Sequence, residues 1–175
     1  AENLAEQYHI SREEQDKFAV QSHKKAFMAT RMGKFRDEIV PVEVAKKVAG
    51  REVAKEMITQ DESINAGLTV QKAALYPTVF KKGGTVTPAN SCPISDGAAA
   101  MLVMTAERAE KLGLTPMARI ISYAYTGVDP AYMGIGPATA VPKALARAGL
   151  TYDQMDLVEL NEAFAAQSLA VAARM

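Results

Sequence analysis

Val158-Glu159-Leu160-Asn161-Glu162-Ala163-Phe164-Ala165-Ala166-Gln167 joins a short apolar run to an alanine-rich one. Residues 157–160 read as a short buried strand, and Asn161 as the opening of a helix from Glu162 onward. A strand that ends where a helix begins is the repeating unit of α/β folds. The rim at the strand ends is where such sheets bind ligands. Here that rim carries two carboxylates and an amide. Asn161 has two readings at such a place. It can cap the helix, the commoner use of Asn there, or it can fix a water or donate to a developing oxyanion.

Working outward, residues 90–175 alternate in the same way. The apolar run 100–104 suits a buried strand. Thr105 caps a helix over 106–112 that stops at Gly113. Residues 119–125 read as a strand. Residues 137–148 read as a helix with Pro137 in its first turn and Gly149 just past its end. Strand–helix units in succession imply parallel strands joined by right-handed crossovers. Residues 1–90 differ. They are charged and mostly helical, opening on the capping box Ser11-Arg12-Glu13-Glu14. Phe18, Ala19, Ser22, Ala26 and Ala29 give the helix behind it a narrow face of mostly small residues, ending near Gly33. Residues 38–44 alternate like a short strand with Pro41 at an edge. Residues 45–66 are polar and carry no clear pattern, and residues 70–75 form one short helix before Pro77.

Two loops are dense in small and turn-forming residues. One runs from Gly84 to Ala100 and contains Ala89, Asn90, Ser91 and Cys92. The other, Gly127-Val128-Asp129-Pro130-Ala131-Tyr132-Met133-Gly134-Ile135-Gly136-Pro137, leads into a helix N-terminus, a setting suited to an anion or a thioester carbonyl. Each reads equally as a structural connection. A thiolate needs a base or a cation to activate it, and nothing local supplies one to Cys92. A lone cysteine is more often a small buried hydrophobe. His9 and His23 lack a third ligand at metal spacing and read as surface or packing residues. The runs Arg12-Glu13-Glu14 and Lys24-Lys25 read as a solvated helix face.

The 20 basic and 20 acidic side chains cancel, so nothing calls for nucleic acid or an anionic membrane as partner. No apolar run approaches the roughly 20 residues needed to span a bilayer. A single cysteine excludes an internal disulfide and fits a reducing, cytoplasmic setting. The first residues show no secretion signal. No Met begins the chain, and residues 172–175 stop inside a helical pattern, so the expectation is a piece of something longer.

Taken in order, these stretches resemble the thiolase family. Val158 to Gln167 resembles its Asn-Glu-Ala-Phe-Ala motif. Gly84-Thr85-Val86-Thr87, with Asn90 and Asp96-Gly97-Ala98-Ala99, resembles its substrate-loop segment. Gly127-Val128-Asp129-Pro130 with Met133-Gly134-Ile135-Gly136-Pro137 is a third match. The opening, Ala1 to Asp16 and on to Asp37-Glu38-Ile39-Val40-Pro41, is a fourth. The resemblance implies an α/β fold: part of a five-layered α/β/α/β/α arrangement with a mostly helical loop domain covering coenzyme A. By that mapping residues 1–90 are part of the loop domain, 91–117 return to the N-terminal half, and 118–175 begin the C-terminal half. The implied reaction is acyl transfer between acyl-CoA thioesters, either forming acetoacetyl-CoA or cleaving a 3-ketoacyl-CoA. It needs no metal and no permanently bound cofactor, and it is carried out by a dimer or tetramer.

Residue by residue, the resemblance makes Asn161 the holder of the water that stabilises the enolate or oxyanion. Met133 and Phe164 would line the acyl and pantetheine pocket, with Ala89, Ser91 and Cys92 on the CoA side. Cys92 stands where the family commonly has a CoA-contacting Ser, and Pro93 replaces a Gly, so Ser91 is the candidate to take over that hydrogen bond. The family's nucleophilic cysteine precedes the matched region. Its Gly-His-Pro histidine and second cysteine follow it, and none of the three occurs in this sequence. Two expectations result. Either the chain is a thiolase component whose cysteine and histidine come from further sequence or a second chain, or it is a non-catalytic CoA-binding or assembly subunit. Strand edges and apolar helix faces left open would make it associate.

Overall fold

Residues 1–175 are described by a computed structural model, the side chains of Lys47 and Glu52 excepted. After a first short helix, α1 (Glu2–Gln7), the longest helix, α2 (Arg12–Arg31), begins where the sequence places it. The Ser11 hydroxyl accepts from the Glu14 N–H at 3.2 Å, and the Glu14 carboxylate accepts the Ser11 N–H at 2.7 Å. This reciprocal pairing satisfies two donors that a helix start otherwise leaves open.

The buried face of α2 is more polar than its small-residue stripe predicts. It centres on Gln15, Asp16, Ala19 and Val20. Asp16 is buried because Arg12 Nε donates to it at 2.8 Å and Asn90 Nδ2 at 2.9 Å. Arg12 is therefore no member of a solvated face. Its Nη2 also donates to the carbonyls of Ala73 (2.6 Å) and Tyr76 (3.1 Å), at the end of α3 (Val70–Ala74). Buried charge is tolerated only when paired in this way. Val20, Leu68, Ala73 and Ala89 close the apolar side of the same junction.

Residues 42–58 form an antiparallel hairpin, β1 (Val42–Val48) and β2 (Arg51–Ile58), turned at Ala49 and Gly50, both at positive φ. Such turns match the twist of the two strands. The strand expected over 38–44 thus starts only after Pro41, whose nitrogen has no hydrogen to give a ladder. The register shifts between Lys46 and Lys47.

The second half holds α4 (Ala106–Lys111), a 3₁₀ segment (Pro130–Ile135), α5 (Gly136–Ala148), a short 3₁₀ turn (Tyr152–Gln154) and α6 (Ala165–Arg174). Thr105 caps α4 by accepting the Arg108 N–H, and Gly149 ends α5 at φ +68. The expected strands over 100–104, 119–125 and 157–160 form no ladder among the described residues. Leu102, Ile120 and Leu157 are 87%, 71% and 76% exposed. A strand exists only through a neighbour that takes its N–H and C=O groups, and here the hairpin is the only sheet among the described residues. The parallel crossovers read from the sequence are absent with it among the described residues. What remains of the second unit is its helix lying along the strand segment. Ser122 Oγ donates to Ala144 O (2.7 Å), and Arg147 Nη1 to Tyr123 O (2.6 Å). No helix is long and apolar enough to cross a membrane among the described residues.

Candidate functional site

The helix after Asn161 starts later than the sequence indicates. Phe164, not Asn161, occupies the position before α6, in extended conformation and with no side-chain cap. The reason is tertiary. The Cys92 N–H donates to Ala163 O at 2.9 Å, the Ala165 N–H donates to Asn90 O at 3.0 Å, and Ser91 faces Phe164 in an antiparallel bridge. Paired so, Ala163 and Phe164 are held extended and the helix begins only at Ala165. Asn161 caps nothing, and its side chain is exposed.

This bridged strip has a pocket on either side. On one side lies a cleft of about 790 Å³ in which Asn161, Met133 and Phe164 meet, with Phe80, Leu160 and Gly134 among its apolar walls. Phe164 meets Phe80 edge to face, ring centroids 6.0 Å apart at 75°, a favoured aromatic geometry. The polar lining comes from Glu2, Asn3, Lys81, Asn161 and Gln167. On the other side lies a smaller pocket of about 230 Å³. Ala89, Ser91 and Cys92 line it together with Ser22, His23 and Glu162. The six residues singled out in the sequence therefore fall into two groups of three.

Several details differ from the sequence reading. Cys92 is exposed rather than a buried hydrophobe, because its backbone, not its side chain, makes the contact with Ala163. Ser91 Oγ donates to Thr87 O at 2.7 Å, so its proton is committed and its oxygen is left to accept. His23 is a packing residue: its Nδ1 accepts the Asn65 N–H at 3.2 Å. The Ser22 hydroxyl bonds the Glu162 carboxylate, tying α2 to the strip. Among the described residues no group of His, Cys, Asp or Glu is arranged to hold a metal ion.

Glu2 is the one carboxylate lining the cleft among the described residues. Burial alone would raise its pKa. Hydrogen bonds from the Val86 N–H and from the Thr85 N–H and hydroxyl, all at 2.9 Å, together with the charge of Lys81, outweigh this and hold it below the ordinary carboxylate range. Lys81 also pairs with Glu6. Among the described residues the cleft lining contains neither thiol nor imidazole. The cleft offers an apolar wall of Phe80, Met133, Leu160 and Phe164 beside the amides of Asn161 and Gln167, while its charged groups are already engaged, Glu2 with Thr85 and Val86 and Lys81 with Glu6. Glu2, Asn3 and Gln167 lie within stretches that carry the family resemblance, yet nothing in the sequence marked them, or Phe80 and Lys81, as lining one cleft. Phe80 is marked only by its place between Pro77 and the Lys81-Lys82 pair.

Comparison with known proteins locates the chain. The family model for the thiolase N-terminal domain matches residues 1–107, and that for the thiolase C-terminal domain matches residues 114–175. An acetyl-CoA acetyltransferase of Pseudomonas aeruginosa is 52% identical over 171 residues, covering 98% of this chain and 42% of the relative. A probable acetyl-CoA acyltransferase of Staphylococcus epidermidis is likewise 52% identical over 171 residues, with the same 98% and 42% coverage. Among solved structures, the Bacillus anthracis acetyl-CoA acetyltransferase superposes with a TM-score of 0.91 at 44% identity over 98% of this chain and 42% of that one. Human mitochondrial 3-ketoacyl-CoA thiolase in complex with CoA gives 0.89 at 43% identity over 98% and 41%. The chain spans less than half the length of each of these relatives.

Proposed function

Since the chain belongs to the thiolase family and has its α/β fold, we propose that it is a component of a thiolase transferring acyl groups between CoA thioesters. The observation that carries this reading is the meeting of Asn161, Met133 and Phe164 in one cleft, with Asn161 free of any capping duty. In this reading Met133 and Phe164 hold the acyl and pantetheine portions by apolar contact. Asn161 fixes the water that donates to the negative charge building on the thioester oxygen. A donor set before the charge appears does not have to reorganise when the reaction occurs, which is why such groups lower barriers.

Ala89, Ser91 and Cys92 form the CoA side of the bridged strip, with the Ser91 oxygen as acceptor. The cysteine that takes the acyl group and the histidine that moves the proton come from elsewhere in the working enzyme, on the same polypeptide or a second one. Residues 1–90 serve as loop domain, 91–117 as return to the N-terminal half, and 118–175 as start of the C-terminal half. The assembly is a dimer or tetramer in a reducing, cytoplasmic compartment, and its substrates arrive as free thioesters, so no cofactor is held permanently.

Acetoacetyl-CoA thiolysis by the complete assembly, with and without Asn161→Ala, tests the role. A rate loss of about 10²–10³ is expected, and an unchanged rate would remove Asn161 from the mechanism. The rival reading is a CoA-binding or assembly subunit without catalysis, which the same fold would permit. CoA binding with no thiolysis in any assembly containing this chain would establish that rival instead.

A further inference from the structure

Glu2 and Asn3 stand side by side at the start of α1, and each grips a different wall of the cleft. The buried Glu2 carboxylate accepts the Thr85 N–H, the Thr85 hydroxyl and the Val86 N–H, each at 2.9 Å. The Val79 N–H donates to Val86 O at 3.1 Å, closing the loop that carries Phe80. Gly84 lies directly against the carboxylate: a Cβ there would stand 2.7 Å from Glu2 Cδ. Asn3 Nδ2 meanwhile donates to Ala131 O at 2.9 Å, in the 3₁₀ segment that carries Met133. Successive helical residues point about 100° apart around the axis, so neighbours can reach two sides. The base is fixed, because Leu4 and Ala5 are buried and α1 packs on α6.

We propose that Glu2 and Asn3 act as a two-sided clamp that sets the spacing between the Phe80 wall and the Met133 wall, and so the size of acyl group the cleft admits. Both are positioning residues, for neither needs to touch the reacting carbonyl. Phe80 is 68% exposed and stands edge to face with Phe164, and its backbone lies in the loop that Glu2 holds, so its place depends on that loop. The specificity part of this inference rests on the cleft being the acyl-thioester site; the clamp itself does not.

The test uses the complete assembly containing this chain, with Glu2→Gln and Asn3→Ala made singly and 4-fluorophenylalanine at position 80. Glu2→Gln keeps size and removes one acceptor oxygen and the charge, and Asn3→Ala alters an exposed side chain, so one of the two is expected to fold even if the other does not. Glu2→Gln is expected to shift the ratio of kcat/KM between short and long 3-ketoacyl-CoA substrates by about tenfold, the effect of one lost charge-assisted hydrogen bond, and Asn3→Ala to shift it by about three- to fivefold, since it loses a neutral one. The change should fall on KM with kcat nearly kept, a split that general destabilisation would not produce. In Glu2→Gln the fluorine resonance of position 80 should also move and narrow. An unchanged fluorine spectrum in Glu2→Gln overturns the clamp, and a moved spectrum with an unchanged substrate ratio overturns its role in specificity. If the wild-type assembly turns over no thioester, the proposed activity falls, and the fluorine spectrum alone then decides the clamp.

Discussion

Asn90 donates its Nδ2 to Asp16 Oδ1 at 2.9 Å, and both side chains are almost wholly buried. The same amide accepts the Thr87 N–H at 2.8 Å and donates to Thr85 O at 3.1 Å. One side chain thus joins α2 to the loop between the two pockets. Asn90→Ala leaves a buried carboxylate short of a donor and a buried N–H without an acceptor. A hydrogen bond to a charged group is worth about 1.5–3 kcal/mol. The urea midpoint of the variant should fall correspondingly, with the slope unchanged. Asn90→Asp should be worse, because it places a second carboxylate against Asp16.

Glu2 gives the fold an acid limb. Its folded pKa lies below the ordinary carboxylate value of about 4.3. A depressed folded pKa means that protonation favours the unfolded chain. The stabilisation is therefore complete above about pH 4.3 and is lost as pH falls through the lower folded value. Thermal midpoints taken from about pH 6 down to about pH 3 should decline more steeply in the wild type than in Glu2→Gln, with the two curves converging at the acid end.

Gly134 is a packing position. A Cβ there would stand 2.8 Å from Gln167 Cγ and 3.0 Å from Leu4 Cδ1, at the point where the 3₁₀ segment crosses α1 and α6. Gly134→Ala is expected to destabilise by about 1–3 kcal/mol, the usual effect of overfilling a packed junction. Calorimetric melting of the variant checks this. Gly97→Ala, where a Cβ meets nothing within 4 Å, is the control and should change little.

Asn161→Ala should leave stability within about 0.5 kcal/mol of wild type, as for an exposed residue without structural bonds. Were Asn161 the cap of α6, the loss would be about 1 kcal/mol. Chemical denaturation separates these outcomes without reference to activity, so a rate loss in the same variant can be assigned to chemistry.

Much of the local structure was legible because its causes lie within a few residues. The Ser11–Glu14 capping box, the Thr105 cap and the left-handed Gly149 each act within one helical turn and appear where the sequence places them. The family was legible from ordered motifs, and with it the names of Asn161, Met133 and Phe164. The hairpin was not. Its strands carry Lys and Glu among their valines, and its turn is Ala49-Gly50 rather than a strong turn pair.

By itself the sequence determined the starts of α2 and α4, the end of α5 and the family. The tertiary structure alone decided that Arg12 and Asp16 turn inward, that the bridge between Ser91 and Phe164 delays α6 and frees Asn161, and that the six candidate residues divide between two pockets. The division follows from range. Caps and turns are settled by neighbours in sequence, whereas burial of a charge, pairing of a strand and closure of a cleft depend on groups that only the folded chain brings within hydrogen-bonding distance.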